Sequence, residues 1–369
     1  MKKLAVIGAS YLQLPLVQKA KEMGLEVHCF AWEDGAICKN ISDYFYAISI
    51  VNKEEILEVC KQIGIDGITS IASDLAVQTV CFVAERLELN SNTYKSAIVS
   101  TNKFLMREKF LLNDVVSPRF ALSWDAKKID TLKFPVIVKP TDRSGSRGVL
   151  KVNDVKDIED AVVKAKKESF SNEAIIEEFV SGDEVSVETI SWNGKHYILT
   201  ITDKVTTGYP YFVELEHHQP SLLSLEIQEK IKSATIEAIK ALNIQYGATH
   251  SEFKITVDKQ VFAIEVGARM GGDFIGSNLV QLSTGYDFLE GVVNVALGKF
   301  LKPNINKLKY AGIYFLCKET EFIKKIIQSR ANDKKIVIAE ITDNKLHSVK
   351  CSADRSGYFI YQSEKKFKI

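Results

Sequence analysis

The sequence feature that most constrains the fold is Lys139, which ends an apolar run (residues 136–139) and precedes a small, basic loop (residues 143–148). The run predicts a buried strand, and an ammonium group at the end of such a strand is costly unless an anion meets it. The loop offers backbone N–H groups, guanidinium groups and hydroxyls, which together bind phosphate. It lacks the residue order of a Walker A loop. These residues predict a phosphate site, with an ordinary exposed glycine turn as the alternative for the loop.

A second segment places two carboxylates on facing strands. Residues 247–267 form two alternating runs joined by a short turn, which predicts a β-hairpin. Glu252 and Glu265 then stand at nearly paired positions on one face. Such a pair repels unless a cation lies between the acids, and oxygen ligands favour magnesium over zinc. Arg269 follows within one loop, where it can stabilise charge on a phosphoryl or acyl group. An acid pair on a solvated face is the alternative.

A third segment, residues 174–184, is an apolar strand that continues into acids and a glycine turn. Acids beside an anion site need an explanation. One is a hinge whose backbone at Glu178 and Val180 reads the edge of an adenine ring, leaving a carboxylate for the ribose hydroxyls. Carboxylates of an ordinary solvated turn are the alternative.

The first 95 residues alternate between short apolar runs and helix-like segments. This pattern predicts an open parallel sheet with right-handed crossovers. The first turn, residues 8–13, lacks two glycines of the dinucleotide-binding fingerprint. It is either a turn packed at the sheet edge or, through Ser10, Gln13 or Asp74, a contact to a small substrate.

Composition argues against several classes of function. The 369 residues include 48 basic and 47 acidic ones, a balance without bulk attraction to nucleic acid or anionic lipid. No apolar stretch of about 18 residues occurs, and the first apolar run is too short for a signal peptide. The six cysteines lack metal-ligand spacing, so we expect buried free thiols. We expect a cytoplasmic protein without nucleic-acid or membrane partners.

Composition shifts divide the chain into three predicted segments. We expect an N-terminal open α/β domain over residues 1–95, and a middle domain over residues 96–300 with a lid subdomain at about 130–185. A small C-terminal α+β subdomain follows over residues 301–369. A helix of the middle segment begins behind Thr101, which can cap it.

In this order and spacing, the motifs resemble those of the ATP-grasp superfamily, in particular its carboxylate-amine ligases. The resemblance covers about residues 1–300 and is carried by Lys103, Val138-Lys139-Pro140 with the following loop, residues 177–184, His250-Ser251-Glu252 and residues 265–269. It implies an ATP-grasp fold, in which two α+β subdomains clasp ATP and the smaller one closes as a lid. The preceding α/β domain would help to hold the substrate.

The resemblance also implies roles for single residues. The implied ATP contacts are Lys103, Lys139, Ser144, Gly145, Ser146, Gly148, Glu177, Glu178, Phe179, Val180 and Glu184. Glu252 and Glu265 would bind Mg²⁺, with Mn²⁺ as an alternative. The expected catalytic residues are Lys139, His250 and Arg269, of which Arg269 steadies an acyl phosphate. A satisfied core histidine is the alternative for His250.

Gly267 departs from the family pattern, because many members carry asparagine two residues after the second metal-binding acid. One usual magnesium oxygen is therefore missing, and water or backbone would replace it. The departure, together with His250, resembles amino-acid ligases of the family more than biotin carboxylase.

The resemblance implies an ADP-forming ligase that joins a small carboxylate to an amine through an acyl phosphate, with amino acids or small peptides as substrates. Residues 202–218 are a candidate substrate wall, with a solvated loop as the alternative; its polar and aromatic residues include Lys204, Tyr209, Glu214, Glu216 and His217. Residues 271–276 can wrap a carboxylate. Two rival functions are a purine-pathway ribonucleotide ligase and a non-catalytic ATP-binding regulator. A homodimer is expected from the family alone.

Overall fold

The computed structural model describes residues 1–305, 308–329 and 333–367. Within these ranges the strands form three sheets, and the fold is of the mixed α/β class that the sequence predicts. The end of the predicted C-terminal segment, residues 368–369, lies outside the described residues. No helix in the described ranges combines the length and the apolar character needed to cross a membrane.

The first sheet is parallel throughout. Its strands are β1 (Lys3–Ile7), β2 (Glu26–Phe30), β3 (Tyr44–Tyr46) and β4 (Gly67–Thr69), and its helices are α1 (Leu14–Glu22), α2 (Lys53–Ile63) and α3 (Asp74–Arg86). The strand order is β3-β2-β1-β4. The predicted alternation of strands and helices is confirmed. Strands β1 and β2 are almost entirely buried, as in a parallel sheet covered on both faces.

The turn after β1 is packed by its own side chains. Gln13 is 3% exposed, and its Nε2 donates to the carbonyl oxygen of Ile71 at 2.8 Å. Its Oε1 accepts hydrogen bonds from the amide and the hydroxyl of Ser10, at 3.2 and 2.8 Å. Of the two alternatives for this turn, the arrangement matches the one packed at the sheet edge.

Two helices, α4 (Tyr94–Thr101) and α5 (Lys103–Leu112), link the first sheet to the rest. Asn102 separates them and caps α5, because its Oδ1 accepts the next two amides after Lys103, both at 3.0 Å. The prediction that Thr101 is the cap is wrong. Its hydroxyl donates to the carbonyl oxygen of Ala97 at 2.8 Å, which makes it the last residue of α4.

The second sheet is small and antiparallel. It contains β5 (Phe120–Leu122), β6 (Val136–Pro140), β7 (Leu150–Val152) and β8 (Ala174–Glu178), with helices α6 (Ala126–Ile129) and α7 (Ile158–Glu168). The order is β5-β8-β6-β7. The two strands predicted here are confirmed, whereas β7 was not predicted. The basic loop joins β6 to β7 and therefore lies at one end of this sheet.

The third sheet has eight antiparallel strands. They are β9 (Asp183–Trp192), β10 (Lys195–Thr206), β11 (Glu214–Gln219), β12 (Gly247–Ile255), β13 (Val261–Gly267), β14 (Tyr310–Leu316), β15 (Ile336–Ile341) and β16 (Gly357–Ser363), in the order β13-β12-β9-β10-β11-β14-β16-β15. Its helices are α8 (Leu225–Ala241), α9 (Val280–Thr284), α10 (Phe288–Ala296) and α11 (Lys324–Gln328). Helix α10 packs on α1 and joins the core of the first sheet.

The C-terminal strands continue the large sheet, because β14 pairs with β11. The predicted boundary near residue 300 therefore falls between strands of one continuous sheet, and the division into three segments stays a prediction. The six cysteines are free, as predicted. Five of them are buried and Cys351 is half-buried.

Candidate functional site

The candidate site is a cleft between the second and third sheets, here called the first cavity. Its lining comes from α5, the basic loop, the end of β8, and strands β12 and β13. The site residues predicted from the sequence that line it are Lys103, Lys139, Ser144, Gly145, Ser146, Glu177, Glu178, Phe179, Val180, Glu184, His250, Glu252, Glu265 and Arg269. Gly148 is the exception.

Lys139 is buried beside a carboxylate. Its Nζ lies 2.7 Å from Oε2 of Glu177, and Oε1 of Glu177 lies 2.9 Å from Nε of Arg107. Burial lowers the pKa of Lys139. Burial would raise the pKa of Glu177, but the charges of Arg107 and Lys139 prevail and lower it. Because one carboxylate faces two cations, this cluster carries an excess positive charge toward the cavity.

Arg107 was missed by the sequence reasoning. It lies one turn after Lys103 on α5, and its side chain is fully buried. Its Nη2 donates to the carbonyl oxygen of Ile264 at 2.7 Å, which ties α5 to β13. The four-residue spacing from Lys103, which puts both cations on one helix face, is the signal that points to it.

Lys103 joins three parts of the cleft. Its Nζ donates to the carbonyl oxygen of Arg143 at 2.7 Å and to Oε1 of Glu265 at 3.1 Å. Its amide donates to the carbonyl oxygen of Thr141 at 2.7 Å. The lysine therefore links α5, the basic loop and the acid on β13.

The basic loop turns at two glycines with positive φ, +68° at Gly145 and +69° at Gly148. A Cβ at Gly148 would lie 3.0 Å from Cγ of Pro140 and 3.1 Å from Cβ of Glu168. Gly148 therefore holds the turn against its neighbours and does not line the first cavity. The positive φ and these close neighbours explain why a glycine stands here, and its predicted contact to ATP stays a prediction.

The end of β8 leads from the second sheet into the third, at the position predicted as a hinge. The Glu178 carboxylate accepts the amide of Lys133 at 2.9 Å, and the amide of Phe179 donates to the carbonyl oxygen of Pro135 at 3.0 Å. The Phe179 ring lies 3.9 Å from Nζ of Lys151. In the part of the chain that the structure describes, the Val180 amide makes no hydrogen bond, so it is available to a ligand.

Glu252 and Glu265 are direct partners across β12 and β13, and the predicted register is confirmed. Oε1 of Glu265 accepts from Lys103, while Oε1 of Glu252 lies 2.7 Å from Nζ of Lys204 and 3.3 Å from Nε2 of His250. Oε2 of each acid has no partner among the described residues. Each carboxylate can therefore still offer an oxygen to a cation.

Lys204 is surrounded by three acids and is almost fully buried. Its Nζ lies 2.7 Å from both Glu184 and Glu252 and 3.4 Å from Glu214. Burial would lower its pKa, but these carboxylates together raise it well above the usual value. The three acids could themselves hold a metal ion. Because the ammonium group already lies between them, we do not assign a metal there.

His250 lies on β12 between two carboxylates. Its Nδ1 hydrogen-bonds Oε1 of Glu188, which is fully buried on the neighbouring strand β9. Burial would lower the pKa of His250, but Glu188 and Glu252 outweigh burial and raise it to about 9. At neutral pH the ring is therefore a cation and a proton donor. Glu188 was not predicted; an acid inside the otherwise uncharged run 185–192 is the signal that points to it.

A second cavity opens beside the first. The two share six lining residues, namely Ser144, Gly145, Glu214, His250, Glu252 and Arg269. Arg269 forms two hydrogen bonds to Asp74 of α3, Nε to Oδ1 at 2.9 Å and Nη2 to Oδ2 at 3.1 Å. Asp74 thus belongs to the site through Arg269. Of the remaining substrate-wall residues, Lys204 and His217 line this cavity.

One end of the second cavity is built around Asp273. Nη1 of Arg355 donates to its Oδ2 at 2.8 Å, and Nη2 of Arg355 donates to Oε2 of Glu214 at 3.2 Å. Nε2 of His217 lies 3.7 Å from the same Asp273 oxygen, too far for a hydrogen bond. Both ring nitrogens of His217 lack a hydrogen-bond partner although the residue is 1% exposed. Arg355 lies in the C-terminal segment and had no sequence signal.

Gly267 has a structural reason. A Cβ at this position would lie 2.9 Å from Oδ1 of Asp74 and 3.3 Å from Nε of Arg269. The missing side chain therefore makes room for the ion pair between these residues.

Residues 132–277 match the family described as ATP-grasp domain. In sequence, the chain is similar to an alanine–anticapsin ligase of Bacillus subtilis strain 168, 28% identical over 245 residues, which is 59% of this chain and 51% of that protein. The chain thus spans about half the length of this relative.

Two solved structures share the fold over 99% of this chain. An L-amino acid ligase from Bacillus licheniformis has a TM-score of 0.83 at 23% identity, with 94% of its chain covered. A phosphoribosylglycinamide synthetase from Anaerococcus prevotii has a TM-score of 0.78 at 20% identity, with 95% covered.

Proposed function

Since this chain contains an ATP-grasp domain and has the fold of ATP-grasp ligases, we propose that it is an ADP-forming carboxylate-amine ligase acting on amino acids. One observation carries the proposal. The first cavity, with its lysines, loop and acids, opens into a second cavity at Glu252, His250 and Arg269. Nucleotide in the first cavity and substrate in the second would meet at these three residues.

ATP would lie in the first cavity with its adenine at the hinge. The free amide of Val180 would read the edge of the base, and Lys103, Lys139 and residues 143–146 of the basic loop, which line this cavity, would hold the phosphates. The excess positive charge of the Lys139, Glu177 and Arg107 cluster supports the phosphate end of this placement.

The donor set at the junction fits magnesium, because Glu252 and Glu265 each keep one carboxylate oxygen without a protein partner in the described ranges. These two acids would hold the ion, which would neutralise charge on the ATP phosphates.

The proposed reaction has two steps. A carboxylate oxygen of the first substrate attacks the γ-phosphorus, the bond to the β-phosphate oxygen breaks, and ADP leaves. The neutral amine nitrogen of the second substrate then attacks the acyl carbon, the bond from that carbon to the phosphate oxygen breaks, and the surplus proton of the nitrogen passes to the departing phosphate or to water. Lys139 and residues 143–146 of the loop align the γ-phosphoryl group, and Arg269 and the His250 cation stabilise the acyl phosphate and the tetrahedral oxyanion.

Amino acids are the substrates that the relatives support, since both an alanine–anticapsin ligase and an L-amino acid ligase are similar to this chain. The rival ribonucleotide ligase would need a phosphate site in the first domain. The turn at Gln13 does not favour one, because its side chain already binds Ser10 and Ile71.

Glu265→Ala tests the assignment. We expect ADP release with pooled amino acids to fall at least about a hundredfold, because one of the two magnesium-binding acids is lost. Hydroxylamine as the amine would trap the acyl phosphate as a hydroxamate in the wild type. Glu229→Ala, on the exposed face of α8, is the matched control and should keep full activity. Near-normal turnover of Glu265→Ala would contradict the site, and nucleotide binding by the wild type without ADP release would favour the regulator.

A further inference from the structure

The two arginines of the basic loop face different cavities. Arg143 lines the first cavity, and its guanidinium lies over the Phe170 ring at 4.3 Å. Arg147 lines the second cavity and is not part of the first. Its side chain is exposed and makes no ion pair, hydrogen bond or ring contact with any described residue. The loop therefore places an exposed arginine without a protein partner at the wall of the second cavity.

The other cationic side chains of the second cavity are already neutralised. Lys204 lies among three carboxylates, Arg269 is held by both oxygens of Asp74, and His250 is bonded to Glu188. Arg147 differs from all of these, because no acid of the described chain lies within ion-pair distance of its guanidinium. A cation of this kind at the wall of a cavity is matched to an anionic group of a ligand.

We propose that Arg147 binds the carboxylate of the amine substrate, and so selects an amino acid as the acceptor. This inference rests on the proposed ligase function. A guanidinium recognises a carboxylate through two parallel hydrogen bonds, which fixes the orientation of the amine as well as its affinity.

The position of Arg147 distinguishes this carboxylate from the other anions of the reaction. The ATP phosphates belong with Lys103, Lys139 and Arg143 in the first cavity. The reacting carboxylate belongs at the junction of the cavities, with Arg269 and Glu252. The remaining anion is the carboxylate of the amine substrate, which does not react. It is therefore the anion that Arg147 can bind in the second cavity. Because Arg147 sits between two glycine turns of the loop, binding it would also order the loop over the reacting groups.

Arg147→Gln tests the proposal with two acceptors. Hydroxylamine has no carboxylate, so hydroxamate formation should stay within about twofold of the wild type. With the amino-acid pair that the wild type joins fastest, KM for the acceptor should rise at least about tenfold, the effect of losing one charge-assisted hydrogen bond. The carboxamide of that acceptor should show the same penalty in the wild type and no further penalty in Arg147→Gln. In Arg147→Lys, KM for the acceptor should lie between the values of the wild type and of Arg147→Gln.

Two further variants control the measurement. Arg86→Gln, on the exposed end of α3, should behave as the wild type with every acceptor. Arg143→Gln should lower hydroxamate and peptide formation together, because Arg143 faces the nucleotide side. An equal loss of hydroxamate and peptide formation in Arg147→Gln would mean that the Arg147 guanidinium contacts the γ-phosphate or the acyl donor. An unchanged KM for the acceptor would mean that Arg147 does not bind its carboxylate. Either result overturns the inference. A wild type without ADP release would instead refute the ligase function itself.

Discussion

At the scale of single residues, the buried imidazole of His217 makes the stability of the protein depend on pH. Burial lowers the pKa of this imidazole below the usual value of 6.5, against the opposing charge of Asp273. In the unfolded chain the ring binds a proton below about pH 6.5, whereas in the native protein it does not until a lower pH. Its contribution to stability is therefore present above pH 6.5 and is lost as the pH falls toward the native pKa.

We expect His217→Gln to flatten the acid side of the stability profile. Between about pH 6.5 and 5.5, the wild-type free energy of unfolding should fall more steeply than that of the variant, by up to about 1.4 kcal/mol per pH unit. Urea unfolding at several pH values measures this difference. His347→Gln, a change at an exposed histidine, should keep the wild-type slope. Equal slopes in wild type and His217→Gln would contradict the buried, neutral imidazole.

Residues whose partners are close in sequence or across one hairpin could be predicted. Glu252 and Glu265 follow from a register set by a short turn. Arg269 could be placed near the phosphates, but its ion pair with Asp74 could not, because 195 residues separate the two. Long-range ion pairs depend on how whole units pack, which local patterns do not encode.

At the scale of elements, the start of α5 sets the position of Lys103, the lysine that we propose binds phosphate. Asn102 caps this helix, and Lys103 is its first residue. We expect Asn102→Ala to lower the free energy of unfolding by about 1 kcal/mol, because two amides lose their acceptor. Asn102→Asp, which keeps that acceptor, should retain most of the stability. Chemical denaturation compares the variants, and equal losses in both would show that the cap is not the cause.

Segments with strong periodicity were predictable, as the alternation of strands and helices in the first 95 residues shows. The short strand β7 was not, because three residues carry too little pattern to separate a strand from a loop. The pairing of β14 with β11 could not be predicted either, because the sequence of a strand does not indicate which strand of a sheet it pairs with. The hairpin therefore followed from the sequence, whereas the continuous eight-stranded sheet required the structure.

At the scale of the whole molecule, the pair of Asp74 and Arg269 connects the helix that follows the parallel sheet to the candidate site. Burial would raise the pKa of Asp74, but Arg269 lowers it, so the pair stays charged at neutral pH. We expect Asp74→Ala to lower ADP release by tenfold to about a hundredfold, because Arg269 loses the contacts that orient it.

A second ion pair, between α1 and the start of α10, allows the effect of Asp74 on the orientation of Arg269 to be distinguished from a general effect on stability. Lys19 of α1 pairs with Asp287 at 3.0 Å, and neither residue lines the two main cavities. Lys19→Met should reduce stability slightly and leave ADP release unchanged. Equal loss of activity in Lys19→Met and Asp74→Ala would mean that general loosening, and not the position of Arg269, limits the rate.

The close approach between Gly267 and Asp74 couples the substitutions that evolution can make at these two positions. The Cβ of an asparagine at position 267 would lie 2.9 Å from Oδ1 of Asp74, which is too close for both side chains to stay in place. A lineage that acquired that asparagine with Asp74 in place would have to shift the Asp74 side chain and so disturb its ion pair with Arg269. The two positions are therefore coupled although they are 193 positions apart. Related sequences should carry one of the two residue pairs and rarely a mixture.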